Sequence, residues 1–169
     1  QLVHNPQINE SLKKNGVSLV NNIDAIDKIK TKKVMITAHG AAQKTKDKLE
    51  DAGFTVYDAS CPLVMRGHKT IQSMVTKGYY PVVIGQHDHV EVKGIVGDLE
   101  DYLVISGEND ITKIQRSGNR KLGIVSQTTL QVEKVEDLVK KIRDKSYVDD
   151  VYFVNTICQP TRDRQVAVR

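Results

Sequence analysis

The chain has 169 residues, 39% of them hydrophobic and 27% charged, with a net charge of +4 and two cysteines. That balance fits a folded water-soluble chain, one domain or two small ones, and no apolar run approaches the roughly 20 residues that cross a bilayer. The basic residues alternate with acids, as in Lys44-Thr45-Lys46-Asp47-Lys48, so they read as solvated helix faces and not as a nucleic-acid surface.

The elements follow in order. Residues 6–15 carry helix-forming polar residues and stop at Gly16, and 17–20 predict a short strand. Ile23, Ile26 and Ile29 recur at helical spacing. From Val34 the chain alternates. Strands are expected at 34–37, 54–57, 80–84, 102–105, 122–125 and 151–154. Helices are expected between them at 41–52, 64–77, 90–98, 111–115 and 132–145, the last with Val135, Leu138, Val139 and Ile142 on one face. Such alternation predicts an α/β fold of repeated βαβ units with right-handed crossovers and parallel sheets.

The reactive side chains gather where these strands end. His39-Gly40 follows the first, Cys61-Pro62 the second, and His87, His89 and Glu91 the third. Gln127-Thr128-Thr129 follows the fifth and Cys158 the sixth. Ligands of open α/β sheets bind beyond the carboxyl ends of strands, so these segments predict one shared site. A histidine at a helix start suits an anion. His87, His89 and Glu91 suit either a metal or an anion with a proton-moving carboxylate, and Thr128 or Thr129 suits a helix N-cap. His68, inside a helix, reads as a surface or packing residue. Cys61 and Cys158 lack C-x-x-C spacing, which argues against a zinc ribbon, and with no secretion signal a disulfide is not expected. Two thiolates at separate strand ends can share an iron–sulfur cluster without completing its ligand set. The chain opens on Gln1 with no leader-like segment, which reads as a processed or cut piece of a cytoplasmic protein.

Taken together, the strings Val3-His4-Asn5, Ala38-His39-Gly40, Asp58-Ala59-Ser60-Cys61-Pro62-Leu63-Val64, His89-Val90-Glu91-Val92-Lys93-Gly94, Gln127-Thr128-Thr129-Leu130 and Ile157-Cys158, with Thr161 and Arg164-Gln165, resemble the 4-hydroxy-3-methylbut-2-enyl diphosphate reductase family of the non-mevalonate isoprenoid pathway. The resemblance implies a trefoil of three α/β domains around a 4Fe–4S cluster held by three cysteines. On this chain it implies a first domain over 1–61, a second over 62–157 and the start of a third over 158–169. Cys61 and Cys158 match the second and third cluster ligands. His4, His39 and His89 match diphosphate-binding histidines. Glu91 matches the acid that relays protons, and Thr128 the threonine that orders it near the substrate hydroxyl. The implied reaction adds two electrons and protons, expels the hydroxyl as water, and draws electrons from a carrier such as ferredoxin or flavodoxin.

Val90 stands where the family usually has proline, and Gln159-Pro160 also departs from the common pattern. The family's first cluster cysteine belongs before His4 and its Ser-x-Asn diphosphate loop after Arg169. The fragment alone is therefore expected to be inactive. Two other readings stay open: a diphosphate-binding module without redox chemistry, using His4, His39, His89 and Thr128, and a metal-dependent hydrolase using His87, His89 and Glu91.

Overall fold

The computed structural model describes residues 5–20 and 29–168. His4 and most of the predicted 23–29 helix therefore lie outside the described residues. Helix α1 (Pro6–Lys14) starts with Pro6 at its first position, and the Asn5 side chain accepts from the Gln7 and Ile8 N–H groups. Residues 17–20, expected as a strand, form none, and Val17, Leu19 and Val20 are exposed.

A two-stranded parallel sheet pairs β1 (Lys33–Ile36) with β2 (Thr55–Asp58), joined through α2 (Gln43–Asp51). Helix α3 (Pro62–Thr76) leads from β2 into a second, four-stranded parallel sheet. Its strands are β3 (Tyr80–Ile84), β4 (Leu103–Ile105), β5 (Lys121–Ser126) and β6 (Asp150–Phe153). They lie in the order β4-β3-β5-β6. The crossovers are α4 (Val90–Val96), a 3-10 turn (Glu108–Ile111) with α5 (Thr112–Ser117), and α6 (Val132–Arg143). The expected parallel βαβ architecture is present. A closing helix α7 (Gln159–Ala167) was not expected from the sequence.

The four-stranded sheet is buried on both faces, which is why β3 and β5 read as continuous apolar runs. On one face Val83, Val104 and Val125 pack against Ile71 and Met74 of α3 and Val92, Ile95 and Val96 of α4. On the other, Val82, Ile84, Ile105, Leu122 and Ile124 pack against Ile111, Ile114 and the Val135, Val139 and Ile142 stripe of α6. Ile71, Met74, Val82, Val83, Leu122 and Ile124 have no exposed surface, and burial of each large aliphatic contributes about 1.5–3 kcal/mol.

This strand order sets the site. The chain leaves β3 toward β4, returns past β3 to β5, and continues to β6. The winding reverses between β3 and β5, so a crevice opens beyond their carboxyl ends. The loops entering that crevice are Gly85–His89 and Gln127–Thr128.

Candidate functional site

Glu91 lies at the reversal point. It is the second residue of α4 and only 1% exposed. Both of its carboxyl oxygens meet Thr128: the Thr128 N–H donates to Oε1 at 2.7 Å, and the Thr128 hydroxyl pairs with Oε2 at 2.8 Å. Burial pushes the Glu91 carboxyl above its ordinary range, and the two Thr128 contacts pull it down without cancelling that effect. The result is a carboxyl whose protonated form is favoured by a dry setting, in contact with a hydroxyl that can pass a proton. Thr128, expected as a possible helix cap, does not cap α6, which starts at Val132 with Gln131 before it.

His89 is the N-cap of α4, and its Nδ1 accepts from the Glu91 N–H at 3.2 Å. A ring nitrogen that accepts carries no proton, so Nε2 is the nitrogen of this ring that can donate. The His39 ring lies 6.1 Å from the His89 ring, centroid to centroid, at 74°. His39 sits in a tight turn closed by Gly40 N–H to Thr37 O at 3.0 Å, with Gly40 at φ 76°. A positive φ of this size suits glycine, so the turn after β1 reads directly in the sequence as His-Gly. Thr37 Oγ1 lies 3.4 Å from His39 Nδ1.

The two cysteines join this chain of contacts through their backbones. The Cys61 N–H donates to Ala38 O at 3.0 Å, beside His39, and the Cys158 N–H donates to Thr128 O at 3.1 Å. Each cysteine is the N-cap of a helix, α3 or α7, with proline following within two residues. Both are half-buried and free of disulfide. Cys158 Sγ lies 3.0 Å from Thr161 Oγ1. As soft sulfur donors, they fit part of the ligand set of an iron–sulfur cluster. Among the described residues no three His, Cys, Asp or Glu side chains form a metal-holding group. His87, expected beside His89 and Glu91, is exposed, and Glu91 turns its carboxyl to Thr128 instead.

Thr156, Lys46 and Asp98 shape the site without having been singled out from sequence, and Gln127, read there only as part of the Gln127-Thr128-Thr129 loop, has a bridging role. Gln127 bridges the two loops of the crevice: its Oε1 accepts from the Gln86 N–H at 3.1 Å, and its Nε2 donates to Thr129 Oγ1 at 3.0 Å. Thr156 is buried, its Oγ1 accepts from the Ser126 N–H at 2.9 Å and its hydroxyl donates to Ser126 O, which ties the segment before Cys158 to the end of β5. Lys46 reaches Asp58 at 2.5 Å, and Asp58 Oδ1 accepts from the Ser60 N–H at 2.9 Å, which fixes the turn leading to Cys61. Asp98 accepts from the Gln43 and Lys44 N–H groups at the start of α2, just after the His39 turn.

The chain matches the LytB protein family over residues 1–169. It is 31% identical to a 4-hydroxy-3-methylbut-2-enyl diphosphate reductase of Bacillus licheniformis over 99% of this chain and 54% of that protein. It is 34% identical to the enzyme of the same name from Ehrlichia ruminantium over 100% of this chain and 51% of that protein. It is also similar to a solved structure of (E)-4-hydroxy-3-methyl-but-2-enyl diphosphate reductase, with a TM-score of 0.81, 31% identity, and coverage of 99% of this chain and 58% of that one. A Plasmodium falciparum reductase structure superposes with a TM-score of 0.86 at 27% identity, over 99% of this chain and 52% of that one. The chain thus spans about half the length of the relatives it matches, and it belongs to the LytB protein family.

Proposed function

We propose that the full-length protein is a 4-hydroxy-3-methylbut-2-enyl diphosphate reductase, which adds two electrons and two protons and releases the substrate hydroxyl as water to give isopentenyl and dimethylallyl diphosphates. The observation that carries this reading is the buried Glu91–Thr128 pair at the sheet's reversal point, tied by backbone to Cys158 and through His89 to His39. An allylic hydroxyl is a poor leaving group and needs a proton as it departs. A carboxyl whose protonated form is favoured by burial can supply one. Thr128 Oγ1, already paired with Glu91 Oε2, orders that proton toward the substrate oxygen or through itself. His39 and His89, with His4 by resemblance, bind the diphosphate. Cys61 and Cys158 would hold two corners of a 4Fe–4S cluster, which when bound supplies the electrons.

The reading extends to its setting: a cytoplasmic enzyme fed by a ferredoxin- or flavodoxin-like carrier, its first domain over 1–61, its second over 62–157 and its third beginning at 158. No described helix is long and apolar enough to cross a membrane. The test uses full-length protein prepared without oxygen. The parent protein should consume the allylic diphosphate with a low-potential reductant. Glu91→Gln should keep the cluster absorption and bind substrate, yet lose roughly 10²–10⁴-fold in turnover. Near-normal reduction by that variant would remove Glu91 as the acid. Absence of any reduction by a cluster-loaded parent would favour the binding-module reading.

A further inference from the structure

His68 lies in the middle of α3, seven residues after Cys61, and only 4% of its surface is exposed. Its Nε2 is buried without a hydrogen-bond partner among the described residues. Polar groups are seldom left this way, so packing has to hold the ring in place. The neighbours are specific. A Cβ on Gly40 would lie 3.3 Å from His68 Nε2 and 3.2 Å from Val64 Cγ1. A Cβ on Gly94 would lie 3.4 Å from His68 Cε1 and 3.5 Å from both Gly40 C and Ala41 Cα. The imidazole is therefore gripped between two glycines. One follows His39 in the turn after β1, and the other lies three residues beyond Glu91 in α4. Burial lowers the His68 pKa, so the ring is neutral and acts by shape.

We propose that His68 is a positioning residue for the anion site: its ring is the spacer that sets the His39–Gly40 turn against α4, and with it the 6.1 Å separation of the His39 and His89 rings. Three segments meet at this ring: the His39 turn, the helix that starts at Cys61, and the helix that carries His89 and Glu91. Glycine at both contacts lets the backbones close on a flat side chain. Without the ring the turn settles toward α4, and two histidines that grip one diphosphate no longer hold their spacing. The proposal rests on the reading of His39 and His89 as diphosphate ligands.

The test uses full-length, cluster-loaded protein and calorimetry with inorganic pyrophosphate, alongside KM and kcat for the allylic diphosphate. His68→Ala should weaken pyrophosphate binding by about tenfold or more, the cost of losing one hydrogen bond to a charged group. KM should rise with it, while kcat and cluster absorption change far less. His68→Gln, which restores a flat group of similar volume, should recover most of the affinity. Unchanged affinity in His68→Ala, or no recovery in His68→Gln, overturns the proposal. If His68→Ala does not fold or loads no cluster, His68→Asn decides, because it keeps a flat polar group but shortens the spacer. Weakened pyrophosphate binding then supports the proposal, and parent-like binding overturns it. His39→Phe run in parallel separates the two readings: if it binds pyrophosphate as the parent does, the diphosphate assignment fails. If it binds weakly while His68→Ala matches the parent, only the positioning role fails.

Discussion

Thr128 holds both oxygens of the Glu91 carboxyl, one through its backbone N–H at 2.7 Å and one through its hydroxyl at 2.8 Å. Thirty-seven residues separate them in sequence, and the reversal of winding between β3 and β5 brings them together. The two contacts are separable. Thr128→Val keeps the backbone donor and the side-chain shape but removes the hydroxyl, leaving Glu91 Oε2 buried without that partner. The loss should cost about 1–3 kcal/mol of folding stability, and Thr128→Ser should recover most of it. Denaturant titration of the three full-length proteins checks this; a Val variant as stable as the parent would show that the hydroxyl contact contributes little.

The pH dependence of Glu91 has a fixed sign. Burial raises its folded-state pKa above the ordinary 4.5, with the Thr128 contacts opposing. The folded protein then holds a proton that the unfolded chain has released, so the group's stabilising contribution is complete below about 4.5 and fades as pH rises through the raised value. Glu91→Gln cannot titrate. Its stability relative to the parent should therefore improve from pH 5 to pH 8, and unfolding free energies at the two pH values measure the change. A constant difference would mean that Glu91 titrates normally in the folded state.

Asp58 and Lys46 give the opposite sign. Burial raises the Asp58 carboxyl, but the Lys46 ammonium and Ser60 outweigh it and hold the pKa at about 2. That contribution is present above the ordinary 3.8 and is lost as pH falls through about 2. The Asp58 side chain is 40% exposed, so solvent screens the pair and its worth is about 0.5–1 kcal/mol. Lys46→Met should lower stability by that amount at pH 7, with the difference shrinking as pH falls toward 2. Equal deficits at pH 7 and pH 3 would point to lost packing of the Lys46 stem instead.

Much of this arrangement was legible as apolar runs ending in chemistry. The runs 80–84 and 122–125 announce buried parallel strands, and the residues just beyond them turn out to be the crevice. What escaped has physical reasons. Val17, Leu19 and Val20 look strand-like, but a strand needs a partner, and none of the described residues pairs with them. Helix α7 has no apolar stripe to read. It has Pro160 as its second residue, and Gln165 ties it back by accepting from the Val132 N–H and donating to Leu130 O. The role of His68 depends on Gly40 and Gly94, contacts that no local spacing in the sequence reveals.

Asp98 shows the same long reach and carries the last prediction. Helix α2 begins after Ala42, which has no side chain able to cap it. The cap comes from 55 residues away: Asp98 Oδ2 accepts from the Gln43 N–H at 2.7 Å, and Oδ1 from the Lys44 N–H at 3.0 Å. Asp98 follows α4, so this carboxylate pins the start of α2, and the His39 turn just before it, to the helix that bears Glu91. A negative group at a helix N-terminus gains from both the hydrogen bonds and the dipole. Asp98→Ala should cost about 0.5–2 kcal/mol. Asp98→Asn should fall between, because its amide offers one acceptor to two donors. Hydrogen exchange at the Gln43 and Lys44 amides localises the effect: in Asp98→Ala both should exchange faster while the β3 and β5 amides stay protected. Uniform acceleration across the sheet would mean that Asp98 stabilises the fold as a whole and does not specifically tether the His39 loop.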